Sequence, residues 1–236
     1  MNETPYRSFS PAPGFHVIEE GGNMVVRMFL FEGGSEALLI DAGFGGGDLK
    51  AFLATLTDKP VRSVVLTHAD PDHTGCCGQF ERVLMHPAEY DRCRSKNKVD
   101  PAAVRPLWEG DRLRVGGRTL EVVLIPGHTP GSIALLDREN RILIGGDSVQ
   151  SGAIFMFGEG RNLPAFVASM DKLLSLGDVF DVCYASHGEG TVTRDILPAL
   201  RQGALDVMAG KIEPQEPPRS MPCRFYDCGR VRFLAD

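Results

Sequence analysis

Residues 67–75, with the sequence Thr-His-Ala-Asp-Pro-Asp-His-Thr-Gly, place four potential metal ligands within six positions, from His68 to His73. They follow directly on residues 61–66, a short apolar run typical of a strand that is covered on both faces. Histidine and aspartate rarely enter a dry interior unless they are paired or bind a cation. We therefore expect a loop at a strand end that turns these side chains inward around a cation, with Pro71 excluding a regular helix across them. The alternative is a solvated loop with two histidines.

Three further ligand candidates occupy the same kind of position. His128 lies in a Pro-Gly-His-Thr-Pro-Gly turn after the apolar residues 122–125. Asp147 follows Ile-Gly-Gly and His187 follows Tyr-Ala-Ser, so each again comes at a predicted strand end beside glycine. Because loops at strand ends are the usual place for a catalytic site in layered α/β folds, these residues add to the site predicted at the first loop.

The order of strand and helix signals predicts the architecture. Strands are expected at 24–31, 36–40, 61–66, 82–85, 113–115, 119–125, 132–137, 141–144, 179–185 and 231–234, and helices at 48–56, 87–94, 164–176 and 193–208. Two rounds of strands followed by helices, without a compositional linker, favour one domain over residues 1–236 with two packed sheets and helices outside. The predicted fold class is α/β, or α+β in some schemes, built as a four-layer αββα sandwich.

A doubly wound parallel sheet is the alternative architecture. Residues 43–47, Gly-Phe-Gly-Gly-Gly, follow a predicted strand and precede a helix, as the turn of a dinucleotide-binding fold does. The Gly-x-Gly-x-x-Gly/Ala fingerprint needs glycine or alanine at the next position, where this chain has Asp48. A dinucleotide cofactor is therefore not expected.

The composition excludes several classes of protein. With 31 acidic and 25 basic side chains the formal net charge is -6, so bulk electrostatics does not attract a nucleic acid. No apolar run approaches the roughly 18 residues that cross a bilayer, and residues 1–10 lack the apolar core of a secretory signal. We expect a cytoplasmic protein with a small-molecule substrate and with no nucleic-acid or membrane partner. Residues 155–157 and the proline-rich residues 213–220 are candidate contact surfaces for a homo-oligomer.

Taken together, these motifs resemble those of the metallo-β-lactamase superfamily of metallohydrolases, whose fold is the αββα sandwich. The family signature His-x-His-x-Asp-His appears as His-Ala-Asp-Pro-Asp-His at residues 68–73, and Asp41 matches the family's structural aspartate. The resemblance implies two divalent metal ions, with zinc expected first and iron or manganese as alternatives. It implies a first metal site of His68, Asp70 and His128, a second of Asp72, His73 and His187, and Asp147 as the bridging ligand.

The resemblance also implies the chemistry. Two metal ions roughly 3.5 to 4 Å apart can share a water, lower its pKa towards neutrality and polarise a carbonyl or phosphoryl oxygen. Asp72 is the candidate catalytic residue, because its carboxylate can orient the nucleophile or carry a proton. The predicted function is a metal-dependent hydrolase that uses a dinuclear-metal-activated hydroxide on a small ester-like substrate, a thioester, a lactone or a phosphodiester. The alternatives are an iron-dependent oxidoreductase of the same fold, flavodiiron-like or a sulfur dioxygenase, and a non-catalytic metal-binding protein.

Asp70 departs from the commonest form of the signature, which has histidine at that position. Histidine would leave two carboxylates, two divalent ions and one hydroxide with a summed charge of about +1, whereas an ionised Asp70 brings that sum to about 0. We therefore expect weaker attraction of an anionic substrate, tighter binding of cations and a preference moved from zinc towards iron or manganese. The flavodiiron branch also has a carboxylate here, but it carries a flavodoxin domain for which we expect no room in 236 residues.

Residues 148–162 follow the bridging aspartate and should overhang the metal ions. The predicted substrate contacts are Phe155 and Phe157, which with Met156 form an apolar wall, and Arg161, a cation for a carboxylate or phosphate. The alternative is that the aromatic side chains pack the second sheet and that Arg161 is solvated.

The remaining histidines and the cysteines are interpreted as structural. His16 and His86 are expected at the surface or in hydrogen bonds. The six cysteines form no Cys-x-x-Cys pair and are interpreted as reduced thiols, with Cys76 and Cys77 as small buried fillers. The alternative is that one of these two thiols lies near the metal ions and makes the enzyme sensitive to oxidation.

Overall fold

The structure, a computed structural model, describes residues 4–22, 24–96 and 99–236. The chain forms two compact units, Met1–Val122 and Val123–Asp236. One domain over residues 1–236 stays a prediction from the sequence. Within the described residues, no helix is both long enough and apolar enough to cross a membrane.

A seven-stranded sheet organises the first unit. Its strands, in sheet order, are β1 Tyr6–Ala12, β2 Phe15–Gly21, β3 Val25–Glu32, β4 Ala37–Ile40, β5 Val61–Val65, β6 Arg82–Met85 and β7 Val104–Pro106. Strands β1 to β4 are antiparallel neighbours, and β4 to β7 run parallel. Because parallel strands end at the same edge of a sheet, the residues that follow β4 and β5, which include Asp41 and His68, come to one edge.

In the described residues of the first unit there are also three helices. They are α1 Leu49–Leu53, α2 Pro71–Thr74 and α3 Tyr90–Lys96, with 3-10 turns at Cys77–Gln79, Pro87–Glu89 and Pro101–Ala103. As predicted, no regular helix runs across residues 68–73, and a one-turn helix begins at Pro71 itself. Proline opens α2, where its missing N–H costs no helical hydrogen bond. Asp72 and His73 therefore lie on a one-turn helix, and His68 and Asp70 lie in the segment before it.

The chain enters the second unit within a strand. Strands β8 Arg112–Val115 and β9 Arg118–Leu124 form an antiparallel hairpin, and the unit boundary falls near the end of β9. The later strands are β10 Ile133–Asp137, β11 Ile142–Ile144, β12 Ala153–Met156, β13 Val182–Tyr184, β14 Thr191–Thr193, β15 Arg224–Asp227 and β16 Arg232–Ala235. The main sheet of the second unit runs β14-β13-β11-β10 and continues into β9, and a smaller sheet has the order β12-β16-β15.

Two longer helices, α4 Leu163–Ser175 and α5 Leu197–Met208, cover the core of the second unit. Asn162 caps α4 by accepting a hydrogen bond from the Ala165 N–H at 2.8 Å. The helices bury their apolar faces in one cluster with strand residues, and Phe166 of α4 meets Phe233 edge-on at 5.8 Å between ring centroids. Full burial of such a side chain stabilises the fold by roughly 1.5–3 kcal/mol.

Candidate metal centre

Asp41 is the centre of a buried hydrogen-bond network in the first unit. It follows β4, is fully buried, and has a left-handed backbone conformation with φ of 61°. Its Oδ1 accepts from the Thr67 N–H at 2.8 Å, and its Oδ2 accepts from the Thr67 hydroxyl at 2.8 Å and from His73 Nδ1 at 2.8 Å. Aspartate tolerates this conformation better than most residues, so the turn after β4 presents the carboxylate at modest strain.

This network fixes the tautomers of both histidines of the signature. An ionised carboxylate only accepts hydrogen bonds, so His73 donates from Nδ1. The Thr67 hydroxyl gives its single proton to Asp41, so it accepts from His68 Nδ1, 3.0 Å away. In the neutral imidazole with a proton on Nδ1, the Nε2 lone pair is the one available to a metal ion.

The two Nε2 atoms face carboxylate oxygens. His68 Nε2 lies 3.6 Å from Asp70 Oδ2, and His73 Nε2 lies 3.8 Å from Asp72 Oδ2. The imidazole rings are 4.0 Å apart between centroids, and both are buried. Two ligand atoms at about 2.0–2.2 Å from one tetrahedral ion lie about 3.3–3.6 Å apart, so these spacings approach those of coordinating pairs.

The second unit carries three ligand candidates, which also converge. Asp147 Oδ2 lies 3.6 Å from His128 Nε2 and 3.5 Å from His187 Nε2. His128 is held from its other side, because its Nδ1 lies 2.8 Å from the carbonyl oxygen of Phe155. A carbonyl oxygen only accepts, so His128 donates from Nδ1, and in the neutral imidazole the Nε2 lone pair is then the one available to a metal ion.

The donor set of each unit fits a divalent cation. In three pairs, His68 with Asp70, His73 with Asp72 and His128 with Asp147, the histidine Nε2 lies 3.6–3.8 Å from a carboxylate oxygen. When the imidazole is neutral with its proton on Nδ1, both atoms present lone pairs, and a cation between them removes the repulsion that they would have in a buried setting. Nitrogen and carboxylate oxygen are the ligands of zinc and of iron or manganese.

Glu20 holds the glycine loop, residues 43–47, beside the signature at residues 68–73. No local pattern of residues around Glu20 indicates this role. Its buried carboxylate accepts from the Phe44 N–H at 2.7 Å and from the Gly46 N–H at 2.6 Å. Gly75 packs so closely against this loop that a Cβ on it would lie 2.1 Å from the Phe44 carbonyl carbon. The loop after Asp41 and the end of the signature segment are thereby locked together.

Arg92 and Glu89, neither of which was anticipated, secure the start of the signature. Arg92 binds one oxygen of Asp70, with Nη2 at 2.6 Å and Nε at 2.8 Å from Oδ1. Glu89 is fully buried and accepts from the Ala69 N–H at 2.9 Å. Glu89 ends the 3-10 turn at Pro87–Glu89, and Arg92 lies on α3, which follows it. Both residues are about twenty positions from the signature, and hydrophobic periodicity does not predict contacts over that separation.

The predicted substrate contacts have mixed surroundings. Phe155 and Phe157 are half-buried, with ring centroids 5.7 Å apart, whereas Met156 is buried in the core of the second unit and cannot form part of a wall. The Met156 part of that prediction is therefore wrong, because alternate residues of β12 point to opposite faces. The half-buried Arg161 donates from Nη1 to the carbonyl oxygen of His128.

The remaining predictions concern residues outside these clusters. His16 lies between Ser10 Oγ at 2.8 Å and Glu32 Oε1 at 3.2 Å, and His86 accepts from the Ala88 N–H at 3.3 Å, so both are structural as predicted. All six cysteines are free thiols, and Cys76 and Cys77 are buried members of the apolar core of the first unit. Burial raises the pKa of the Cys77 thiol well above its ordinary value.

A buried His/Asp donor set at strand ends of an α/β fold defines a class, the metal-binding proteins. A family model described as the metallo-beta-lactamase superfamily matches residues 21–187. The chain belongs to this superfamily and is a metal-binding hydrolase, so the predicted family, fold class and enzyme type are confirmed.

Similar proteins include thioesterases and other hydrolases. Acyl-coenzyme A thioesterase MBLAC2 of Gallus gallus is 33% identical over 195 residues, which are 67% of this chain and 70% of that protein. The Homo sapiens protein of the same name is 27% identical over 197 residues, again 67% and 70% of the two chains. Hydroxyacylglutathione hydrolase of Hahella chejuensis is 36% identical over 148 residues, 58% of this chain and 53% of that protein.

Solved structures show the same fold. A metallo-beta-lactamase family protein of Thermus thermophilus matches with a TM-score of 0.63 and 25% identity, over 85% of this chain and 80% of that one. A metallo-beta-lactamase of Pontibacter korlensis matches with a TM-score of 0.73 and 19% identity, over 85% and 99% of the two chains.

Proposed function

We propose that the protein is a metal-dependent thioesterase that holds two divalent metal ions. Zinc is the metal that we expect before iron or manganese. The observation that carries the metal dependence is the repeated approach of a histidine Nε2 to a carboxylate oxygen, in His68, His73 and His128. The thioester is supported by the relatives named as thioesterases, which match over two thirds of the chain. A lactone and a phosphodiester are the other ester-like substrates that the same chemistry serves.

The assignment of ligands follows the family resemblance. The proposed first site is His68, Asp70 and His128, the proposed second site is Asp72, His73 and His187, and Asp147 is the proposed bridging ligand. Within the first unit, Asp41 and Thr67 supply the hydrogen bonds that keep the Nε2 atoms of His68 and His73 available. The carbonyl of Phe155 does the same for His128 in the second unit.

Bound divalent ions would supply an activated water at neutral pH and would polarise the thioester carbonyl. The Asp72 carboxylate is partly exposed, with 16% of its side-chain surface accessible, and can accept a hydrogen bond from the attacking water. We propose that Asp72 orients this water, takes its proton and passes the proton to the departing thiolate. A carboxylic acid is a stronger acid than a thiol, so this transfer of the proton from Asp72 to the thiolate is favourable and regenerates the carboxylate.

Phe155, Phe157 and Arg161 remain the proposed substrate contacts. The two half-buried rings offer an apolar surface for an acyl chain. Arg161 donates from Nη1 to the carbonyl of His128, and its guanidinium carries the positive charge that a phosphate or carboxylate would pair with. A small-molecule substrate without a nucleic-acid or membrane partner, a cytoplasmic location and homo-oligomerisation remain predictions from the sequence.

The test combines metal analysis with a substrate panel. Elemental analysis of the protein as isolated should give about two zinc ions per chain, as expected of a dinuclear site. The zinc-loaded protein should hydrolyse an acyl-coenzyme A and a glutathione thioester faster than an acyl lactone or bis(p-nitrophenyl) phosphate. Chelation should abolish this activity and zinc should restore it.

Two outcomes contradict the whole proposal, and a third contradicts its substrate class. One is less than one equivalent of any transition metal together with no hydrolysis after addition of zinc, manganese or iron. The other is native iron with oxygen consumption, which would favour the iron-dependent oxidoreductase. Metal-dependent hydrolysis confined to the lactone or phosphodiester would keep the hydrolase and reject the thioesterase.

A further inference from the structure

The carboxylate at position 70, where the commonest family signature has histidine, is bound by an arginine on a neighbouring helix. Arg92 places two N–H donors on the same oxygen, Asp70 Oδ1, at 2.6 and 2.8 Å. The other oxygen, Oδ2, lies 3.6 Å from His68 Nε2. The two oxygens of Asp70 thus have different surroundings. Oδ1 lies beside a cationic guanidinium, and Oδ2 lies beside Nε2 of the ligand candidate His68.

We propose that Arg92 is the positioning residue of Asp70, and that the Asp70–Arg92 pair replaces the family's histidine as one uncharged ligand unit. This inference rests on the proposed function, since it assigns Asp70 Oδ2 to a bound ion. Two donors from one guanidinium stop rotation of the carboxylate, so that Oδ2 alone is presented beside His68.

The charge of the pair supports this role. An ionised aspartate adds one negative charge where neutral histidine adds none, and the guanidinium adds one positive charge at 2.6 Å. The summed charge at this position is then the same as with histidine. The weaker attraction of anionic substrates that Asp70 alone predicts is therefore offset by Arg92.

The setting of the pair distinguishes it from a surface ion pair. The Arg92 and Asp70 side chains are 21% and 11% exposed, so solvent screens them less than it screens a pair in water. Glu89, which lies just before α3, fixes the backbone at Ala69, because its carboxylate accepts a hydrogen bond from the Ala69 N–H at 2.9 Å. The same stretch of chain thus holds the residue before Asp70 by its main chain and Asp70 by its side chain.

The experiment is a double-mutant cycle read by zinc affinity, with a chromophoric chelator as competitor. The variants are Arg92→Met, Asp70→His and the double variant, with Arg94→Met as the control because Arg94 is another arginine on the same helix. Each single variant should bind zinc about tenfold more weakly or worse. In Asp70→His the new imidazole faces the guanidinium, and in Arg92→Met the lost orientation of the carboxylate outweighs the removal of a positive charge. The double variant, with a histidine and no facing guanidinium, should recover to within about threefold of the wild type, and Arg94→Met should match the wild type.

Arg92→Lys separates orientation from charge, because lysine keeps the positive charge without the planar pair of donors. We expect the zinc affinity of Arg92→Lys to lie between those of the wild type and Arg92→Met. Thermal unfolding of every variant checks that it folds. Unchanged zinc affinity in Arg92→Met, or losses in the double variant that are the product of the single losses, overturns the inference. If the wild type itself binds no zinc, the proposed function fails instead, so the two failures are distinguishable.

Discussion

Oδ2 of Asp41 accepts hydrogen bonds from His73 Nδ1 and from the Thr67 hydroxyl, each at 2.8 Å, and through that hydroxyl it also determines the tautomer of His68. One buried carboxylate therefore prepares two imidazoles to bind a cation through Nε2. The residue is placed for this by a left-handed backbone turn directly after β4.

Asp41→Asn should separate this role from the fold. Asparagine tolerates the same backbone conformation, but its amide cannot accept from every donor that surrounds the carboxylate, so the tautomers of His68 and His73 lose their support. We expect metal affinity and activity to fall about 10–100-fold. Asp48→Asn is the matched control, because Asp48 caps α1 and asparagine caps helices equally well. Unchanged metal affinity in Asp41→Asn would show that the network is not needed for ligation.

Asp147→Asn should remove the carboxylate on which the ligand candidates of the second unit converge. Asp147 Oδ2 lies within 3.6 Å of Nε2 of both His128 and His187, and the neutral amide is a far poorer metal ligand. Activity should fall more than about 100-fold, with loss of bound metal measured in the same sample. Asp171→Asn, which removes a surface partner of Arg201, should leave both readouts unchanged. A fully active Asp147→Asn protein would contradict the assignment.

Arg161→Met tests the proposed substrate contact by comparing substrates. If the guanidinium of Arg161 binds an anionic group of the substrate, KM for an acyl-coenzyme A should rise about tenfold or more, in line with loss of a charged hydrogen bond. KM for an uncharged thioester should change little. Arg201→Met serves as a surface control. Equal loss of kcat for both substrates with constant KM would instead indicate that Arg161 acts by holding the main chain of His128.

Gly75→Ala should destabilise the fold through contact with backbone atoms that cannot move away. The added Cβ would lie 2.1 Å from the Phe44 carbonyl carbon, whereas a Cβ at Gly34 meets nothing within 4 Å. We expect the free energy of unfolding to fall by about 1–3 kcal/mol for Gly75→Ala. Gly34→Ala should change it by less than about 0.5 kcal/mol. Urea unfolding of the two variants, followed by circular dichroism, makes the comparison, and equal midpoints would refute the close packing.

The cysteines should react in the order of their exposure. Cys76, Cys77, Cys93 and Cys183 are buried, and burial raises the pKa of Cys77 and Cys183, so few of these thiols ionise near neutral pH. Iodoacetamide at pH 7.5 should label the partly exposed Cys223 and Cys228 first, as measured by peptide mass spectrometry. A Cys76→Ser/Cys77→Ser variant should lose activity in peroxide as the wild type does. Protection of that variant would favour the alternative of an oxidation-sensitive thiol.

The ligand candidates His68 and His128 were predictable because each follows within three residues of a short apolar run, which marks a strand end. Residues 61–66 and 122–125 indeed lead into loops that carry His68 and His128. Strands β1, β2, β7, β12, β14 and β15 were not predicted. Tyr6 is the one buried residue of β1, β12 stands in a segment rich in glycine, and β2 is buried at Val17 and Ile18 in succession, which breaks the alternation of a strand pattern. Hydrophobic periodicity cannot mark a strand that buries little.

The supporting residues were harder to predict for another reason. Glu20, Glu89 and Arg92 act on atoms 20 to 26 residues away along the chain, and nothing in their local sequence differs from that of a surface charge. Only the folded chain brings a charge to its partner. Asp41 could be predicted because the family resemblance assigns a role to an aspartate at that strand end.

The ligand histidines are held either by a side chain or by a main-chain carbonyl, and these two kinds of hydrogen bond differ in their sensitivity to mutation. His68 and His73 both depend on the single side chain of Asp41, so one codon change disturbs two ligands at once. His128 is held by the main-chain carbonyl of Phe155, which every amino acid possesses. Position 155 is therefore free to vary with the substrate without loss of this hydrogen bond, whereas position 41 has little freedom to vary.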